Sequence, residues 1–117
     1  MKNFKELKIW KKGLEIAKKC YEIVKDFPQQ EKYGLSSQIT RAAVSIAANI
    51  AEGSSRKSEK DQSRFIEISI GSAYELETHL LISKSIKLGN NSLITETLND
   101  LIEEQKMLIS FKNKLLF

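Results

Sequence analysis

The chain has 117 residues with one proline, five glycines, one cysteine, 41% apolar and 29% charged residues, and a formal net charge of +4. That length holds one domain with its own core, so neither disulfides nor a structural metal is required, and the apolar-to-charged balance excludes intrinsic disorder. The lone Cys20 closes no internal disulfide, Lys5, Lys8, Lys11 and Lys12 interrupt any signal-peptide stretch, and no run approaches the ~20 apolar residues of a membrane span, so a cytoplasmic protein without membrane association is expected.

Four helices are predicted in chain order, at about 4–26, 35–52, 59–88 and 92–115. The first stops before Pro28, whose ring cannot continue a helix. Gly53 is the expected C′ residue of the second. Ser58 is the expected N-cap of the third, with Glu59 and Asp61 in its first turn, and Gly89 ends it. Asn90, Asn91 or Ser92 caps the fourth. No period-2 alternation long enough for a sheet occurs. Few breakers and short connections give an all-α, up-down antiparallel four-helix bundle over residues 1–117.

Helix 1 carries two interleaved apolar stripes, Leu7, Trp10, Leu14, Ala17, Tyr21 and Val24, and Ile9, Gly13, Ile16, Cys20, Ile23 and Phe27. Together they cover roughly half the helix, where one packed face needs a ~100° stripe. The second stripe is therefore a candidate subunit interface through Ile9, Gly13, Ile16, Cys20 and Ile23. The other reading is a deeper core position between two neighbours of the same bundle. Helix 2 is punctuated by Ala42, Ala43, Ala47, Ala48 and Ala51, which permit close approach. Its polar line of Gln38, Arg41, Ser45, Asn49 and Glu52 reads as a groove lining or as one solvated edge. Helix 3 buries Phe65, Ile66, Ser69, Ser72, Ala73, Leu76 and Leu80, and helix 4 packs through Leu98, Leu101, Ile102, Leu108, Ile109 and Leu115.

Catalytic and metal patterns fail one by one. A di-iron bundle needs Glu-x-x-His pairs, but the single histidine, His79, has Leu76 three residues before it. One cysteine and one histidine do not make a zinc site. Glu75 and His79, four apart, read as a surface hydrogen bond. Ser72, Ala73 and Tyr74 stand where an Arg-x4–6-His ribonuclease motif needs arginine. There is no Gly-rich phosphate loop. Cys20 sits on an apolar stripe and reads as core. No cofactor, metal or enzymatic activity is expected.

Charge placement points elsewhere. Residues 1–26 hold eight lysines against four acids, so the whole net excess sits on helix 1. Its polar arc displays Lys8, Lys11, Lys12, Lys18, Lys19 and Lys25. A second group, Arg56, Lys57, Lys60 and Arg64, opens helix 3, and Arg41 is the basic residue of helix 2. Such a set can track phosphates, the sequence-independent part of nucleic-acid binding. Interleaved Glu15, Glu22 and Asp26 dilute the field, and no exposed aromatic row offers base stacking.

The stretch Gln38-Ile39-Thr40-Arg41-Ala42-Ala43-Val44-Ser45-Ile46, followed by Asn49-Ile50-Ala51-Glu52-Gly53, resembles the signature of the 23S rRNA-intervening-sequence proteins. Leu7, Trp10, Phe27-Pro28, Glu31, Tyr33-Gly34-Leu35, Phe65, Gly71-Ser72 and Glu75-Leu76-Glu77 follow the same order. Thr40, Ala47 and Gly13 depart from it, standing where arginine, proline and alanine are common. The resemblance implies a four-helix bundle assembled as a ring-like homopentamer, without established enzymatic activity. Similar proteins are accessory factors of diversity-generating retroelements and bind nucleic acid and a reverse transcriptase. Five copies at +4 each would carry +20. The expected function is thus a non-enzymatic oligomeric accessory protein binding RNA or RNA/DNA through lysines. The alternative is a protein-interaction scaffold that touches no nucleic acid.

Overall fold

The computed structural model describes residues 3–115. A 3₁₀ turn at Phe4–Glu6 leads into α1 (Lys8–Lys25), a second turn at Gln29–Glu31 links to α2 (Leu35–Ser54), and α3 (Glu59–Ser85) and α4 (Asn91–Leu115) follow. Each helix packs on the next, and α4 closes back on α1. The cross-helix contacts run in opposite directions. Lys12 meets Glu103 while Lys19 meets Glu96, and Glu77 meets Gln105 while Glu67 meets Lys112. Neighbours are therefore antiparallel, and the result is an up-down bundle of 45 × 23 × 20 Å. Its long axis is close to the ~40 Å that 27 helical residues span.

The helix ends follow from local chemistry, with three differences from expectation, at Leu7, at Gly53 and at the end of α3, which stops at Ser85 rather than Leu88. The predicted first helix is broken at Leu7, which is extended at ψ 131°. Phe4 and Trp10 meet edge-to-face at 5.3 Å. Residues six apart in an unbroken helix lie ~120° apart around its axis and ~9 Å apart along it, so that contact needs the break. Helix α2 runs through Gly53 to Ser54 rather than ending on a left-handed glycine. The hydroxyls of Ser54 and Ser55 donate to the carbonyls of Ala51 and Glu52, satisfying the end another way. Ser58 Oγ accepts from the Asp61 amide and Asn90 Oδ1 from the Leu93 amide, so both expected N-caps form. At the end of α3 the left-handed position falls on Lys87, φ 58°, and the Leu88 amide donates to the Ser83 carbonyl. Gly89 is also left-handed, at φ 85°, and a Cβ there would lie 2.7 Å from the Phe27 ring.

The core is one cluster of isoleucine, leucine and alanine from all four helices. It corrects the reading of helix 1. Ile9, Gly13, Ile16, Cys20 and Ile23, expected as a candidate subunit interface, are buried inside their own bundle. Gly13 shows why, since a Cβ on it would lie 3.3 Å from Ala47 of α2 and 3.4 Å from Glu104 of α4. This stripe points between two neighbours and has no surface left for another subunit. Burial pushes the Cys20 thiol up to about 12, which leaves it inert. Leu14 and Tyr21, from the other stripe, are exposed. The polar line of α2 is also resolved. Ser72 Oγ donates to Ser45 Oγ, and Asn49 Nδ2 donates to Ser45, so its middle is a hydrogen-bonded seam against α3. Arg41, Gln38 and Glu52 remain solvated.

Helix α3 buries the expected Ile66, Ser69, Ser72, Ala73, Leu76 and Leu80. It is also apolar on its outer side, where Ile68, Tyr74, Leu81, Ile82 and Ile86 are exposed, Ile86 at 60%. Gly71, on the same side, has nothing within 4 Å of a built Cβ. Ile102 and Ile109 of α4, expected in the packing face, are exposed as well.

Candidate nucleic-acid interface

The up-down topology places the start of α1, the α2–α3 turn and the end of α4 at one end of the bundle. Six of the expected basic residues lie toward that end: Lys8 and Lys11 on α1, and Arg56, Lys57, Lys60 and Arg64 at the turn and the start of α3. Among the described residues, Lys8, Lys11, Lys57, Lys60 and Arg64 have no acidic group within ion-pair distance. Arg56 is held differently. Its guanidinium lies 4.7 Å from the Phe65 ring centre and pairs with Glu52 at 3.0 Å. That clamps the turn and leaves Arg56 less free for a ligand.

The remaining expected residues separate from this set. Lys12 pairs with Glu103 at 2.7 Å, and Lys19 pairs with Glu96 at 2.8 Å and with Asp100. Both lysines are half-buried in the α1–α4 seam. The hydrogen bonds from Lys19 to Asp100 and then Glu96 raise its pKa to about 12. These two lysines hold the bundle together and are poor phosphate ligands. Lys18 and Lys25 make exposed pairs with Glu15 and Glu22 on their own helix, at 3.4 and 3.1 Å. Such pairs contribute only tenths of a kcal/mol and exchange readily. Arg41 lies nearer the opposite end, in a shallow depression with Tyr21, Thr40, Val44 and Ser45.

Two basic residues were not legible as part of this end. Lys106 and Lys114 of α4 line a groove with Lys8, because α4 runs antiparallel to α1. In sequence, Lys114 in the last helical turn reads as a complement to the helix dipole and Lys106 as a solvated charge. Only the topology brings them beside the N-terminus.

One buried group in the seam carries no partner among the described residues. The Glu104 side chain is 0% exposed, and neither carboxylate oxygen accepts a hydrogen bond from them. Burial pushes its pKa up to about 8, opposed by the charge of Lys12 and assisted by that of Glu103. His79 Nε2 lies 3.3 Å from Glu75 Oε2, as the spacing suggested, and among the described residues no group of three metal-ligating side chains forms. Among the same residues, no helix is long and apolar enough to cross a membrane.

Comparison with known proteins places this geometry. No curated protein matches the chain. A crystal structure of a protein of unknown function from the S23 ribosomal protein family of Bacteroides thetaiotaomicron superposes with a TM-score of 0.79 at 28% identity, over 89% of this chain and 97% of that one. The family model described as 23S rRNA-intervening sequence protein matches residues 5–110. The four-helix architecture, the central helix 2 motif and this match agree, and the chain belongs to the 23S rRNA-intervening sequence protein family.

Proposed function

We propose that the chain is a non-catalytic, cytoplasmic accessory protein that assembles as a homo-oligomeric ring, a pentamer, and binds RNA or RNA/DNA at its basic end. The observation that carries the reading is that Lys8, Lys11, Lys57, Lys60 and Arg64 lie toward one end and, among the described residues, have no acidic group within ion-pair distance. Phosphate contacts from such a cluster bind without sequence preference and release counterions. The family description itself names an rRNA-associated gene context.

Assembly is supported by the apolar exterior. Large apolar side chains grouped on an exposed helix face mark a contact surface, even where Glu67, Glu75 and Thr78 stand among them as on α3. The outer side of α3 carries Ile68, Tyr74, Leu81, Ile82 and Ile86, and the α1–α2 side carries Tyr21 and Val44. These patches differ from one another, so pairing one with the other is heterologous, and heterologous contacts close into a ring where the rotation between copies closes. A ring stacks copies with their basic ends on one rim, which strengthens the field of each.

The test is a filter-binding titration against a structured RNA at several salt concentrations. Affinity should fall steeply with salt, and the Lys57→Glu/Lys60→Glu/Arg64→Glu variant should lose at least tenfold. Binding that ignores salt, or none at low salt, refutes the reading. For assembly, light scattering should give a multiple of 13.3 kDa, and Ile82→Glu with Leu81→Glu should give a folded monomer. A wild-type monomer refutes the ring.

A further inference from the structure

We propose that the groove between the start of α1 and the last turns of α4 docks an acidic amphipathic helix of a partner protein. Its floor is Leu7, Ile9, Met107 and Phe111, its rim is Lys8, Lys106 and Lys114, and its volume is about 360 Å³. The floor is accessible from outside, with Leu7, Met107 and Phe111 half-buried rather than sealed.

Charge selects the occupant. Further along the same seam the neighbouring depression mixes Lys8, Lys11, Lys12 and Lys19 with Glu15, Asp100 and Glu103, and Lys12 and Lys19 are paired there. The groove at the end of α4 contains no acidic residue in its lining, and neither does its continuation over Ile109, Ser110 and Asn113. Among the described residues, Lys8, Lys106 and Lys114 pair with no acid. An apolar floor with a purely cationic rim is complementary to apolar side chains flanked by carboxylates.

Spacing makes the pattern specific. Lys106 and Lys114 are eight residues apart, about 12 Å along α4. A helix lying along the groove would set carboxylates at i and i+7 or i+8 opposite them. Apolar residues at i+3 and i+4 would then face Met107 and Phe111, the helix-in-groove mode of recognition. A phosphodiester chain fits less well. It would leave the apolar floor uncovered, and Phe111 is not exposed for bases to stack on.

The test is selection of displayed 16-residue helical peptides on the immobilised full-length protein, followed by fluorescence anisotropy with the enriched peptide. The expected consensus has Glu or Asp seven or eight apart around two large apolar residues. Its Kd should weaken at least tenfold in Lys106→Glu/Lys114→Glu, and a peptide with those acids changed to lysine should recover binding to that variant. Circular dichroism should show the variant folded, since both lysines are exposed. Lys57→Glu/Lys60→Glu/Arg64→Glu should leave peptide affinity unchanged, which separates this site from the nucleic-acid reading. No enrichment, a consensus without acids, or affinity indifferent to the double reversal overturns the proposal. So does a 15-nucleotide single strand that binds through these lysines where no peptide does. A changed oligomeric state in the double variant would assign the groove to a second copy and overturn it equally.

Discussion

Replacing Glu104 by glutamine tests the electrostatics of the α1–α4 seam directly. The carboxyl group is fully buried without a partner among the described residues, and its pKa is about 8 in the folded chain against an ordinary 4.5. A raised folded pKa means the native state binds the proton more tightly than the unfolded state. The stabilisation is therefore complete below about pH 4.5 and is lost as pH rises toward about 8. Within that window stability should fall by about 1.4 kcal/mol per pH unit, on the order of 3–5 kcal/mol in all. The groups facing Glu104 are Lys12 of α1 and Glu103 beside it, and the Gly13 backbone leaves the space the side chain fills. Glutamine keeps the shape and removes the titration. Urea unfolding at fixed protein concentration, in a His79→Gln background that removes the single histidine, should give similar stabilities at pH 5. At pH 8.5 Glu104→Gln should be more stable by about 2–4 kcal/mol. Parallel pH profiles for the two proteins would refute the assignment of a buried, neutral carboxyl group.

Four further outcomes follow from the packing. Ile16→Ala removes a fully buried side chain and should cost about 2–5 kcal/mol in urea unfolding while leaving the subunit number of the folded fraction unchanged by light scattering. Gly89→Ala places a Cβ 2.7 Å from the Phe27 ring at φ 85° and should lower stability by about 1–3 kcal/mol, whereas Lys87→Gly at φ 58° should raise it by about 0.5–1 kcal/mol, both read from thermal melts. Lys12→Glu with Lys19→Glu sets like charges against Asp100, Glu96 and Glu103, so it should lower stability by about 1–2 kcal/mol, an effect that calorimetry separates from any loss of RNA binding.

The elements were legible because their signals are local. Pro28 stops α1, Ser58 caps α3 and Asn90 caps α4, each through a bond within three residues of itself or a ring that blocks the next turn. The core faces of α3 and α4 were legible for a similar reason, since periodicity alone marks Ile66, Ala73, Leu76 and Leu80, and Leu98, Leu101 and Leu108. Lys12 and Lys19 were not separable from Lys8 and Lys11, because their carboxylate partners lie some eighty residues away on α4. Pairing across a bundle is decided by topology, and a helical wheel of α1 contains no record of it.

The same limit explains the misassigned interface on α1, and it carries a physical lesson about the family's assembly. Periodicity gives the width of an apolar arc and not its centre. The arc of α1 spans both stripes, and the bundle takes its middle from Ile9, Ile16, Cys20 and Ile23, where small Gly13 and Ala47 let α2 and α4 both reach it. The excess width remains real and sits at the arc's edge, in Leu14 and Tyr21. Its counterpart is the outer side of α3, where Ile82 and Ile86 stand in water with an open Gly71 beside them. Leaving such side chains exposed forgoes about 25 cal/mol for each Å² that could be covered. In the assembly proposed above, a second copy would cover them with a different face, and the basic ends would then fall side by side. In the proposed ring, apolar surplus and charge surplus would serve one design, since pairing through the outer side of α3 would concentrate the lysines that a single bundle of net charge +4 presents only weakly.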